Sequence, residues 1–119
     1  MDKRKKVIIC EDDEDILNIM NILVTGLGHE VLALNSLDSF VDKVREYLPD
    51  LLILDYWVAN VTIIPIIKAL KGDDELKKIP IILVTAVSTE KMKATEDIDE
   101  YISKPFDITY FRETVSRYL

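Results

Sequence analysis

The stretch LLILDYW, residues 51–57, limits the fold more than any other: four consecutive apolar residues run straight into a carboxylate, Asp55. Such a run reads as a strand covered on both faces, the situation of a parallel sheet held between helices. Open sheets of that kind bind their ligands beyond the carboxyl ends of the strands, which is where Asp55 stands. Taken alone, an acid at a strand end is equally a helix cap or a turn residue. Three other strand ends in the chain decide between these readings.

The rest of the chain alternates. KVIIC, residues 6–10, is a second apolar run; the acidic loop EDDED follows, and then Ile16, Met20, Leu23 and Leu27 recur at helical spacing until Gly26 and Gly28 close the segment. HEVLAL reads as the next strand. Ser36 is placed to cap a helix whose core face is Leu37, Phe40, Val41, Val44 and Leu48, and Pro49 ends it. After Asp55 come a loop, an apolar helix ending near Leu70, and a charged connector, KGDDELKK, that reads as a solvated surface turn. Pro80 opens the strand IILVT, residues 88–97 make a charged helix, and EYIS forms a short strand before Lys104 and Pro105. Asp107 caps a last helix with Ile108, Phe111, Val115 and Leu119 on one face.

Five repetitions of strand and helix with short connections predict an α/β fold: a doubly wound, five-stranded parallel sheet with five helices and right-handed crossovers. The order 2-1-3-4-5 fits the length and sets strands 1, 3, 4 and 5 side by side. Residues 1–119 then read as one domain, large enough to bury a single core. The formal net charge of −7 argues against a nucleic-acid footprint, which needs a basic stripe, and favours a basic partner or a bound cation. Apolar runs stop far short of the roughly 20 residues of a membrane span, and the opening MDKRKK is soon followed by acids, which places the chain in the cytoplasm. Cys10, the only cysteine, has Ile8 and Ile9 beside it and reads as a packed core thiol. His29 is a turn residue with no second histidine to share a metal.

This topology delivers Glu11 and Asp12 from strand 1, Asp55 from strand 3, Thr85 from strand 4 and Lys104 from strand 5 to one crevice. Three converging carboxylates repel one another unless a cation lies between them, and all-oxygen ligation suits Mg²⁺ or Mn²⁺. A lysine and a hydroxyl beside them can hold phosphoryl oxygens. The set suits phosphoryl transfer to a carboxylate, with Asp55 as the in-line nucleophile. Asp13, Glu14 and Asp15 read instead as acids stabilising the start of the first helix.

The motifs CEDDED, LLILDYW, ILVTA and YISKPF, in this order and spacing, resemble the response-regulator receiver domains of two-component signalling, of which CheY is a small stand-alone example. The resemblance spans the chain and implies a flavodoxin-like fold. It implies Asp55 as phospho-acceptor, Glu11, Asp12, Asp55 and the backbone carbonyl of Trp57 as metal ligands, and Thr85 and Lys104 as the groups that bind the phosphoryl group. Thr85 and Tyr101 would form the switch. The implied partners are a histidine kinase or histidine phosphotransfer protein, and a downstream protein met through the face of the fourth helix, fifth strand and fifth helix; a homodimer is left open. Catalysis would be confined to the domain's own phosphorylation and dephosphorylation. Trp57 and Val87, two residues after Asp55 and Thr85, flank the path of an attacking water; with neither able to act as a base, a slowly decaying phosphorylated form is expected.

The chain also departs from the family pattern. A proline four residues after the acceptor and a following Asp-Gly pair are usual, whereas Ala59, Thr62 and Ile63 occupy those positions. The loop after Asp55 is therefore expected to differ in shape, and Pro65, by disfavouring helical angles at Ile64, to delay the third helix. Between Thr85 and Lys104 the chain is about three residues shorter than the pattern, which predicts a short or irregular fourth helix. Two other functions compete: a degenerate receiver acting as a phosphorylation-independent binding module, and an aspartyl-nucleophile phosphohydrolase resembling the haloacid dehalogenases. The second normally carries another acid where this chain has Trp57.

Overall fold

The computed structural model describes residues 4–86 and 97–119. Five strands, β1 (Lys6–Cys10), β2 (Glu30–Leu34), β3 (Leu51–Asp55), β6 (Ile81–Thr85) and β7 (Glu100–Ser103), form one parallel sheet in the order β2-β1-β3-β6-β7. The remaining strands, β4 (Trp57–Val58) and β5 (Val61–Thr62), make a separate antiparallel ribbon. With that ribbon set apart, the sheet has the expected 2-1-3-4-5 order. The helices among the described residues are α1 (Glu14–Gly26), α2 (Phe40–Tyr47), α3 (Ile64–Lys71) and α4 (Ile108–Arg117). The helix expected over 88–97 lies outside the described residues but for Asp97.

Alternation along each strand divides the core in two. Ile8, Cys10, Leu52, Leu54, Ile81 and Leu83 point to the face covered by α2 and α3, while Val7, Ile9, Leu51, Ile53, Ile82 and Val84 meet α1 and α4 on the other. Because both faces are covered, β3 and β6 are buried along their whole lengths, and that is why their sequences show unbroken apolar runs. Each such side chain contributes about 1.5–3 kcal/mol of burial free energy. β2 lies at the sheet edge, and all five of its residues are only partly buried.

Several expected details shift. In α1 the buried seam is Leu17, Met20 and Val24, with Ile16, Leu23 and Leu27 packed at its margin. Ser36 does not cap α2: its Oγ accepts from the Asp38 N–H at 3.4 Å in a preceding turn, and the helix starts at Phe40. That turn folds Leu37 back onto the core, so helical geometry begins at Phe40, three residues later than expected. Leu48 leaves the core face because it sits past the helix end with φ of 50°, and it is 49% exposed. Ile108 is likewise 48% exposed, and Phe111, Thr114 and Val115 form the buried face of α4. The connector 71–78 is not simply solvated, since Leu76 is fully buried against α2 and α3. Asp73 holds it there, accepting from the N–H groups of Glu75 and Leu76 and pairing with Arg45 at 2.8 Å.

The segment after Asp55 does take a distinctive shape. Ala59 and Asn60 have φ of 50° and 65°, the left-handed pair that a two-residue hairpin turn requires, and Val58 and Val61 face each other across it. α3 is not delayed: Ile64 is its first residue and Pro65 occupies the first turn, where a missing N–H leaves no helical bond unmade.

Candidate functional site

The carboxyl ends of β1, β3, β6 and β7 open into one crevice, and register fixes what lies in it. Cys10 pairs with Leu54 and Asp55 with Val84, so Glu11 and Asp55 end neighbouring strands. The Glu11 N–H donates to the Leu34 carbonyl at 3.0 Å, which ties the start of the β1–α1 loop to β2. On the other side the Lys104 N–H donates to the Thr85 carbonyl at 2.9 Å, extending the β6–β7 pairing by one residue and bringing Lys104 to the crevice. The Lys104–Pro105 peptide is cis.

Ligand atoms of Glu11, Asp12 and Asp55 lie within 4.8 Å of one another. Glu11 and Asp55 are buried and Asp12 is exposed. The Lys104 ammonium bridges the buried pair, donating to Asp55 Oδ2 at 2.9 Å and to Glu11 Oε1. Glu11 Oε2 accepts from the Asp13 N–H at 3.2 Å. Asp12 Oδ2 accepts from the Ala59 N–H at 3.0 Å, a contact between the first loop and the ribbon.

The charges follow from these surroundings. Burial pushes the Glu11 carboxyl up to about 7; Lys104 opposes that rise and Asp55 adds to it. For Lys104 burial favours the neutral amine, but the hydrogen bonds it donates to Glu11 and Asp55 and the charges of both together outweigh it and hold the pKa above its usual value. The ammonium is thus the firmer partner of the pair, because it has two carboxylates while Glu11 shares one cation. The Ala59 N–H is the main cause holding the Asp12 carboxyl below the usual carboxylate range.

The other expected residues fall around this centre. Thr85 ends β6 and is 2% exposed. Tyr101 of β7 pairs with Leu83 of β6 and packs, partly buried, on the α2–α3 side of the sheet. Trp57 is half exposed at the rim, edge-on to Tyr56 with ring centroids 5.5 Å apart. Val87 lies outside the described residues. Asp13 caps α1 by accepting from the Ile16 N–H at 3.1 Å, with Glu14 and Asp15 in the first turn. His29 Nδ1 accepts from the Lys5 N–H at 3.1 Å, and Cys10 is buried with its Sγ against the Ser36 carbonyl. The Ala59 contact to Asp12 was not expected from the sequence. A backbone N–H carries no residue signature, and alanine is a poor advertisement for a left-handed turn.

Residues 7–116 match the family model of the response regulator receiver domain, and the chain belongs to that family. The polar-differentiation response regulator DivK of Brucella anthropi is 36% identical to it, over 97% of this chain and 96% of that protein. DivK of Brucella ovis is also 36% identical with the same coverage. Among solved structures, the chemotaxis response regulator CheY4 of Vibrio cholerae has a TM-score of 0.86 at 22% identity, covering 98% of this chain and 100% of that one. The response regulator TrrA of Thermotoga maritima, determined in complex with Mg²⁺-BeF, has a TM-score of 0.84 at 22% identity, covering 97% and 99%. These two share the flavodoxin-like fold with this chain. Among the described residues no helix is long and apolar enough to cross a membrane.

Proposed function

We propose that this receiver domain of a two-component system takes one phosphoryl group onto Asp55 from a histidine kinase or histidine phosphotransfer protein. The observation that carries the reading is the Lys104 ammonium lying on Asp55 Oδ2 at 2.9 Å within a cluster of three carboxylates. Three carboxylates against one ammonium leave an excess of negative charge, and their ligand atoms are all oxygen and close enough to share a hard cation. The residues therefore fit Mg²⁺ or Mn²⁺, held by Glu11, Asp12, Asp55 and the backbone carbonyl of Trp57. The ribbon supports the last: Tyr56 accepts from the Ile63 N–H at 2.9 Å and Val58 faces Val61, so the alternating ladder leaves the Trp57 carbonyl unused between them. The TrrA complex with Mg²⁺-BeF supports the same site. Bound there, the cation draws charge off the phosphoryl oxygens.

An oxygen of Asp55 attacks phosphorus in line as the bond to the donor nitrogen breaks, and that bond's electron pair leaves with the donor. Lys104 exchanges a carboxylate contact for a phosphoryl oxygen, and the Thr85 hydroxyl donates to another. Such movement at the ends of β6 and β7 reaches Tyr101, through which the signal passes to a downstream protein on the face of β7 and α4. Catalysis is confined to the domain's own modification, and residues 1–119 act as a single domain.

Incubation with acetyl phosphate and Mg²⁺, read by intact mass, tests the reading. Wild type gains one phosphoryl group and Asp55→Asn gains none. An unmodified wild type under conditions that modify another receiver domain would favour a phosphorylation-independent binding module.

A further inference from the structure

Glu11 and Asp55 are oriented by burial and by their shared Lys104, but Asp12 is exposed and has neither constraint. What reaches it is the ribbon, from 47 residues away in sequence: the Ala59 N–H donates to Oδ2 at 3.0 Å. The turn that aims this N–H places an alanine at φ of 50°, a conformation that glycine adopts freely and that L residues other than asparagine and aspartate disfavour. A two-stranded ribbon of two residues each is too short to impose that conformation alone. Val58 and Ile63, both fully buried at its base, fix its position against the α2–α3 core.

A small hard cation takes a carboxylate through one oxygen, and a ligating carboxylate is usually hydrogen-bonded through the other. We propose that the Ala59 N–H is a positioning group for the cation site: by holding Oδ2 of Asp12 it leaves the other oxygen for the cation and orients an exposed acid as a ligand. The inference rests on the cation site described under the proposed function. It makes the turn of the ribbon, and not only the Trp57 carbonyl and the strand ends, a determinant of Mg²⁺ affinity.

The test replaces the Ala59 residue by lactic acid, an amide-to-ester exchange that removes the N–H and keeps the methyl group and the chain geometry. Mg²⁺ binding is measured by titration calorimetry, with circular dichroism confirming the fold. The ester is expected to bind Mg²⁺ about tenfold or more weakly than wild type. In an Asp12→Ala background the same exchange is expected to change nothing, which a merely structural role for the ribbon would not produce. Ala59→Gly keeps the N–H and relieves the left-handed φ, so it is expected to lose much less Mg²⁺ affinity than the ester. Undiminished binding by the ester, an equal loss in the Asp12→Ala background, or a loss in Ala59→Gly as large as in the ester would each overturn the proposal while leaving the cation site standing. A wild type that binds no Mg²⁺ would overturn the site as well.

Discussion

Two residues of the same neighbourhood show how surroundings decide chemistry. Cys10 directly precedes Glu11, yet burial, with Glu11, Asp12 and Asp55 adding negative charge, pushes its thiol up to about 12. Folding therefore keeps the proton on sulfur between about pH 9 and pH 12, so the contribution of this group to stability is complete below pH 9 and is lost as pH rises through that window. At pH 8 iodoacetamide is expected to leave the folded protein unmodified and to alkylate Cys10 only in urea. Rapid alkylation of the native protein would contradict the burial of the thiol. Trp57 has the opposite placement, half exposed at the rim of the crevice. It offers no base to a water attacking the phosphorylated Asp55, and the same holds for Val87. Replacing Trp57 by Asn and Val87 by Glu is expected to speed loss of the phosphoryl group about tenfold, or about 1.4 kcal/mol of barrier. Intact mass followed after removal of the donor measures the decay, and equal rates in mutant and wild type would show that water access at these positions does not set the lifetime.

At the scale of elements, apolar residues in helices and connectors do not all carry equal weight. Leu76 belongs to a connector, KGDDELKK, with six charged residues, but it fills the core beneath α2 and α3, and Arg45–Asp73 clamps the turn that inserts it. Leu76→Ala is expected to cost about 2–5 kcal/mol in urea unfolding, the range for an emptied leucine site. Ile108→Ala, at a half-exposed position on α4, is expected to stay within about 0.5 kcal/mol of wild type. The reverse order would mean that α4 packs on Ile108 after all. These two residues also mark the limit of what periodicity can tell. An apolar residue at helical spacing is legible as facing some neighbour, but a seam that moves by one position, as from Ile16 and Leu23 to Leu17 and Val24 in α1, depends on how the helix is rotated against the sheet. The strands were legible almost to the residue, because burial on both faces writes itself as an unbroken apolar run. The hairpin after Asp55 was legible only as a departure, since its geometry resides in the left-handed backbone of Ala59 and Asn60.

Over the whole molecule, parallel order brings together residues as far apart in sequence as Glu11 and Lys104, joined here by a salt bridge. That convergence could be read from four strand ends once the order of the sheet was inferred, because a doubly wound sheet leaves its functional crevice nowhere else to lie. What the strand ends could not show is how three acids divide their tasks. The structure separates them by surroundings: Glu11 is buried and shares Lys104, Asp12 is exposed and tied to the ribbon, and Asp55 is buried with Lys104 on one oxygen. In the proposed function Asp55 is the acceptor and shares the cation with the other two. Borohydride reduction of protein treated with acetyl phosphate converts a phosphorylated aspartate to homoserine, so peptide mapping reads the acceptor directly. Modification is expected at Asp55 alone and only with Mg²⁺ present; label on Glu11 or Asp12, or label on Asp55 undiminished when Mg²⁺ is chelated, would contradict the account.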